Sequence, residues 1–275
     1  MALTGAAKAA VLAVGPDTPG PDSAEGVTPN CSQRVEGLNE LFPPGLAQFR
    51  YPQRPGNRLQ LPVIYNNDGN AAALYAHQMH FGSAGSAHTS IAAIVGTGLG
   101  GGVIEAGLVV KGASGMAGEL GHVHIPMAGL LADDQPIPRC NCGFVGDAES
   151  VASLTRIENN LLPYLLTQFP DPPPDEAGRQ VRAYGEVGDE MALRIFEQQA
   201  MALGRLFTIA ANYTDPNVYF LGGGVVESTP AFRDSFKGKV REHTVLRDEQ
   251  TRLASFAAVP DLDMAGAPGA LPWRL

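Results

Sequence analysis

The sequence predicts an α/β layer architecture, because short apolar runs that read as strands alternate with longer stretches of helical periodicity. Three observations carry this. Residues 61–65, 90–95 and 218–221 are strand-length apolar runs. Ile195, Phe196, Ala202, Leu203, Leu206, Ile209, Ala210 and Tyr213 recur at helical spacing, so one face of that helix packs on a core. Turns rich in Gly, Asn and Asp stand where the strands end. At 275 residues and 44% hydrophobic content the chain can bury one large core or two modest ones.

In chain order, residues 9–14 predict a strand that enters a loop at 15–21, whose prolines and glycines exclude both helix and ladder. Residues 43–58 read as a surface connection. The strand at 61–65 leads into Asn66-Asn67-Asp68-Gly69-Asn70 and an Ala-rich helix to about His80. The strand at 90–95 ends in a glycine turn, Gly96 to Gly102, and resumes at Val103, with residues 108–110 continuing the hairpin. Beyond the Cys140-Asn141-Cys142 segment the pattern predicts a helix over 148–168, a Pro-rich acidic loop over 169–178 and the long helix over 189–213. The strand at 218–221 enters Gly222-Gly223-Gly224, followed by a helix over 229–245 and a last strand at 253–259. No internal repeat is visible.

Composition excludes several function classes. The net charge is −9 and no basic block offsets it, which argues against nucleic-acid partners, since backbone affinity needs clustered Lys and Arg. No apolar run approaches the roughly 20 residues of a membrane-spanning helix, and residues 9–14 are short for a signal peptide, so a soluble cytoplasmic protein is expected. There are three cysteines, and Cys140 and Cys142 stand one residue apart, which is poor geometry for a disulfide framework and better suited to metal ligation.

The glycines at 96, 98 and 101 satisfy a dinucleotide fingerprint, but a strand rather than a helix follows, and no Gly-Lys-Ser or Gly-Lys-Thr marks a P-loop. A side-chain-free turn remains, in which backbone N–H groups at Gly98 and Gly100 and the Thr97 hydroxyl can approach a phosphate; an unliganded tight turn is written the same way. Gly223 and Gly224, between a strand and a helix, can let a nucleotide lie on the backbone, or simply form a flexible loop. His122, Cys140, Cys142 and Asp147 supply one imidazole, two thiolates and one carboxylate, a closed tetrahedral set for structural Zn²⁺; a pair of reduced cysteines beside a surface histidine fits the same residues. Asp68, in the turn after a strand, can accept a proton from a hydroxyl during phosphoryl transfer, or merely cap the next helix.

Taken together, several segments resemble the ROK family (repressor, open reading frame, kinase). They are Thr18-Pro19-Gly20-Pro21, Asn67-Asp68, the Gly96 to Gly102 turn, Gly118-Glu119-Leu120-Gly121-His122, the Cys140 to Glu149 segment and Leu221-Gly222-Gly223-Gly224. The resemblance implies the actin-like, ribonuclease-H-like fold, with two lobes closing on a sugar and ATP with Mg²⁺. Residues 1–84 would form an incomplete first lobe carrying the catalytic aspartate, and 85–275 the second. It implies Asp68 as general base, and Asn67, Asp68, Glu119, His122 and Glu149 as ligands of sugar hydroxyls, with His122 shared between sugar and zinc. The chain departs from the family pattern in two places. Asp147 stands where the family has a third zinc-segment cysteine, and the family's leading strand and Asp-x-Gly-Gly-Thr phosphate turn have no counterpart before Ala9; a clipped gene start is the expected reason, and a stable lobe without that segment would need cover from a partner chain, so a homodimer or homo-oligomer is expected. The expected activity is ATP-dependent phosphorylation of a hexose or related sugar. The competing expectation is a sugar-sensing regulator or non-catalytic sugar-binding protein.

Overall fold

The structure, a computed structural model, describes residues 17–18, 66–169 and 177–260. The expected strands at 9–14 and 61–65, the connection at 43–58, most of the expected first lobe and the end of the chain beyond 260 lie outside the described residues. Asp17–Thr18 (β1) pairs in parallel with Asn66–Asn67 (β2). The loop at 15–21 thus forms a short ladder that its prolines and glycines were expected to exclude: Asp17 and Thr18 keep their backbone N–H groups, and the Pro and Gly residues flank them.

A five-stranded sheet organises the rest, in the order β5-β4-β3-β6-β7. Its strands are Thr89–Val95 (β3), Leu99–Glu105 (β4), Leu108–Val109 (β5), Val218–Gly223 (β6) and Ser255–Ala258 (β7). β3 runs antiparallel to β4 and parallel to β6, while β7 continues the parallel side. Side-chain alternation sends Ala92, Ile104, Val218 and Phe220 to one face, where the helix Asp68–Phe81 (α1) packs. Ile91, Ala93, Val95, Tyr219 and Leu221 go to the other, against Glu190–Thr214 (α6). α1 is buried from Gly69 to His77; its alanines let it lie close on β3 and β4. His77 is satisfied inside this layer by Ser90 Oγ at 2.7 Å and Gly85 O at 3.0 Å, and burial lowers its pKa.

Four expectations need correction. The glycine turn is shorter than 96–102: β4 begins at Leu99, with Gly100, Gly101 and Gly102 paired to Ile94, Ala93 and Ala92. Close approach explains these glycines, since a Cβ on Gly101 would stand 2.3 Å from Ala92 O and 2.7 Å from Leu120 Cδ1. The helix expected over 148–168 is broken into Glu149–Ala152 (α2), Leu154–Arg156 (α3), a π turn at Ile157–Leu161 and Leu162–Leu165 (α4). Ser153 turns extended (φ −77, ψ 153), which frees Leu154 N and Thr155 N to donate to Gly96 O and Thr97 O, and Pro163 has no N–H to continue the ladder. Ala177–Glu186 (α5) is a helix that the pattern did not reveal, starting inside the expected acidic loop. The helix expected over 229–245 is Pro230–Glu242 (α7), and a further short helix, Asp248–Leu253 (α8), precedes β7. α7 stops where His243 packs on Gly204 of α6, and α8 caps α6 by the Gln250 Nε2 donation to Ala211 O at 2.9 Å.

Candidate active site and metal centre

The first residues of β4 are the hub. On one side α1 begins: a Cβ on Gly69 would lie 2.7 Å from Gly101 N, so only a glycine pair lets the helix start so near the strand. On the other, Glu149 Oε2 accepts Leu99 N at 2.9 Å, and the 3-10 turn Leu120–His122 packs with Gly121 under Leu99 O. Asp68, Glu119, His122 and Glu149, from three separate stretches of chain, are thereby gathered.

Their proximity shows in their charges. Burial raises the Glu119 carboxyl above its ordinary value; His122 pulls it back, and Asp68 and Glu149 push it further up, so all three lie within Coulombic reach of it. At the start of α1 the alternatives for Asp68 separate. The cap is Asn67, whose Oδ1 accepts Asn70 N at 2.7 Å, and Asp68 is the first helical residue, its Oδ1 accepting its neighbour Gly69 N at 2.9 Å. Asp68 is exposed at the helix's positive end, where a carboxylate is favoured.

Beside this group His122, Cys140, Cys142 and Asp147 place their donor atoms within 4.8 Å of one another. His122 Nδ1 lies 3.3 Å from Asp147 Oδ2, 3.5 Å from Cys142 Sγ and 3.8 Å from Cys140 Sγ, and Cys142 Sγ lies 3.8 Å from Asp147 Oδ2. A zinc tetrahedron with bonds of about 2.3 Å to sulfur and about 2.1 Å to nitrogen and oxygen has edges of roughly 3.4 to 3.8 Å, so the quartet fits that ion in both donor chemistry and shape. The hydrogen bond to Asp147 holds His122 above its usual pKa. Burial pushes Asp147 up, but hydrogen bonds from His122 and Ser150 N outweigh it and hold the carboxyl below its usual range. Cys140 donates its thiol to Glu149 Oε1 at 3.2 Å, and burial raises its pKa strongly. The His122 contacts with Asp147, Cys140 and Cys142 all use Nδ1.

The residues expected at the nucleotide side divide. Gly96, Thr97 and Gly98 form the turn after β3, with Gly96 N donating to Gly98 O at 2.9 Å and Thr97 exposed. Gly224 follows β6 alongside, donating to Val95 O at 3.2 Å, and among the described residues nothing lies within 4 Å of where its Cβ would stand. Gly223 is buried at φ +92, and Gly100 is the second residue of β4, facing Gly69. Sequence reasoning missed Ser150, which donates N–H to Asp147 Oδ1 at 2.9 Å and Oγ to Asp147 O at 2.6 Å. Asp147-Ala148-Glu149-Ser150 before a helix is a capping pattern that could have revealed it.

A model described as the ROK family matches residues 53–274. The chain belongs to the ROK family. It is 32% identical over 189 residues to a glucokinase of Halalkalibacterium halodurans, covering 66% of this chain and 54% of that protein. With a glucokinase of Thermotoga maritima it shares 33% over 174 residues, 59% of this chain and 50% of the relative. The chain thus spans about half the length of the curated relatives it matches. Among solved structures, a ROK hexokinase from Thermus thermophilus superposes with a TM-score of 0.68 at 28% identity, over 94% of this chain and 77% of that one. A ROK glucokinase from Streptomyces griseus in complex with glucose and AMPPNP does so with a TM-score of 0.64 at 26% identity, over 94% of this chain and 80% of the other. The fold is therefore the expected α/β, actin-like ATPase fold of this ROK chain. Among the described residues no helix is long and apolar enough to cross a membrane.

Proposed function

We propose that this ROK protein transfers a phosphoryl group from ATP to a hydroxyl of a hexose or related sugar. The observation that carries the reading is the convergence of Asp68, Glu119, His122 and Glu149 beside β4, with the capping duty at α1 taken by Asn67. Carboxylates and an imidazole can each accept from or donate to sugar hydroxyls, which both give and take hydrogen bonds, and several such pairs fix which hydroxyl faces the donor. Asp68 accepts the proton of that hydroxyl, the oxygen attacks the γ-phosphorus, and the bond from phosphorus to the ADP oxygen breaks. Asn67, with Oδ1 engaged at the cap, offers its amide N–H. The open backbone at Gly96 to Gly98 and at Gly224 suits the phosphates and nucleotide of ATP with Mg²⁺, and the glucokinase relative solved with AMPPNP supports that donor. Zn²⁺ bound by His122, Cys140, Cys142 and Asp147 would supply a structural anchor that fixes the His122 ring for the sugar. In this reading the protein works in the cytoplasm as a homodimer or homo-oligomer, which sedimentation velocity measures.

The test is ADP release across a panel of hexoses, comparing wild type with Asp68→Asn. Turnover of at least one hexose is expected, falling by about 10²-fold or more in the variant, the usual contribution of a positioned general base. Equal turnover by Asp68→Asn, or no turnover of any hexose, overturns the reading. Metal analysis of the purified chain is expected to give about one zinc per molecule.

A further inference from the structure

The two cysteines sit on a loop that carries Cys140 buried and Cys142 half-buried. Cys140 N donates to Phe144 O at 2.9 Å, Gly143 N donates to Cys140 O at 3.2 Å, and Asn141, Gly143 and Phe144 are exposed. Beside the Cys140 thiol bond to Glu149 Oε1 and the Ile125 N–H bond to Gly146 O, the short helical segment after Ser153 also ties this loop to the body of the protein. Arg156, the last residue of α3, donates through Nη2 to the Asn141 side-chain oxygen and through Nη1 to Arg139 O at 3.4 Å. Asn141 is the residue between the two cysteines, so the guanidinium grips the loop at its centre. Asn160 shares the task, its Nδ2 donating to Arg139 O at 3.2 Å and to Ser150 O at 2.9 Å. Arg156 Nε is buried and has no partner among the described residues, so the side chain is held in place by its two terminal nitrogens at some cost in desolvation. The backbone of the same segment holds Gly96 O and Thr97 O through Leu154 N and Thr155 N. α3 thus fastens the cysteine loop and the glycine turn to one another.

We infer that Arg156 is a positioning residue for the metal centre, holding Asn141 so that both sulfurs face His122 Nδ1 and Asp147 before an ion arrives. The inference rests on the metal reading proposed above. A planar fork can fix a loop by two bonds at once, which removes part of the ordering that the ion would otherwise have to impose. Partners that orient ligands without touching the metal commonly change its affinity by 10- to 100-fold.

The experiment measures zinc affinity by competition with a chromogenic chelator in wild type, Arg156→Ala and Asn141→Ala, and records Tm with zinc and with EDTA. Arg156→Ala is expected to weaken zinc binding about tenfold and to leave the metal-free Tm within about 2 °C of wild type, so that only the stabilisation by zinc shrinks. Asn141→Ala removes the same bond from the exposed side and is expected to give the same loss, which preserves the test if Arg156→Ala does not fold. Zinc affinity within about twofold of wild type in the folded variants overturns the inference, as does an equal Tm loss with and without zinc at unchanged affinity. A wild-type chain that takes up no zinc overturns the metal reading and this inference with it, while sugar turnover, measured separately, decides the kinase reading.

Discussion

Glu119 is where the proposed sugar contact carries a cost in stability. Its carboxyl is desolvated and stands among the charges of Asp68 and Glu149, so its pKa is raised in the folded chain. The folded state therefore binds this proton more tightly than the unfolded state does. Below the ordinary glutamate value of about 4.3 the group is protonated in both states and costs nothing. As pH rises through the folded value, the carboxylate must be held charged in its buried place and stability is lost. Glu119→Gln removes the charge and keeps the shape. In metal-free protein the variant is expected to melt about 2 to 4 °C above wild type at pH 8, the response of a chain this size to roughly 1 kcal/mol. The difference should vanish near pH 4, and a melting series against pH checks it. Sugar turnover should fall in the same variant, since the amide replaces one acceptor oxygen of the carboxylate with an NH2 donor.

At the scale of elements, the packing of α1 on β4 decides whether Asp68 reaches the other carboxylates. Gly69 and Gly101 touch, and Gly101 is also closed in by Ala92 O and Leu120 Cδ1. Adding one methyl at Gly101 must push the 120–122 turn or β3 away from the strand, and with it the backbone against which Gly69 starts α1. Gly101→Ala is expected to cost about 1 to 3 kcal/mol in urea unfolding, as overpacking of a close contact does, and to lower turnover by more than its stability loss explains at a temperature where it is folded. The elements themselves were legible where periodicity was strong: the long helix α6, strands β3 and β6 and the Ala-rich α1 stand within a residue or two of their expected places. Three departures share a cause. The glycines at 100–102 lie in β4 because a helix and a turn press on them, Ser153 breaks a periodic run because its neighbours bond to Gly96 and Thr97, and α7 stops against Gly204. Each is a contact between distant segments, and local pattern carries no trace of such a contact.

Across the whole molecule, the gathering of His122, Cys140, Cys142 and Asp147 was legible from their residue types, and that of Asp68, Glu119, His122 and Glu149 only through family resemblance. The glycines after β6 were half legible: sequence marks Gly223 and Gly224 alike, and only the fold separates them. Both stand where β6 leaves the sheet beside β3, at the carboxyl ends of parallel strands where α/β folds take their ligands. Gly223 is held by the backbone itself, at φ +92 with a Cβ that would fall 1.9 Å from Val95 O. Gly224 has no such constraint, so its missing side chain serves the open space beside it. The two positions should therefore answer substitution in opposite ways. Gly223→Ala is expected to cost 3 kcal/mol or more, of the order of a severe steric and backbone conflict, and to appear chiefly as lost soluble protein. Gly224→Val is expected to keep the unfolding free energy within about 1 kcal/mol of wild type while raising the KM for ATP at least about tenfold and leaving the KM for sugar near its wild-type value. A Gly224→Val protein with unchanged KM for ATP would move the nucleotide away from the end of β6, and the glycine turn after β3 would have to hold it alone.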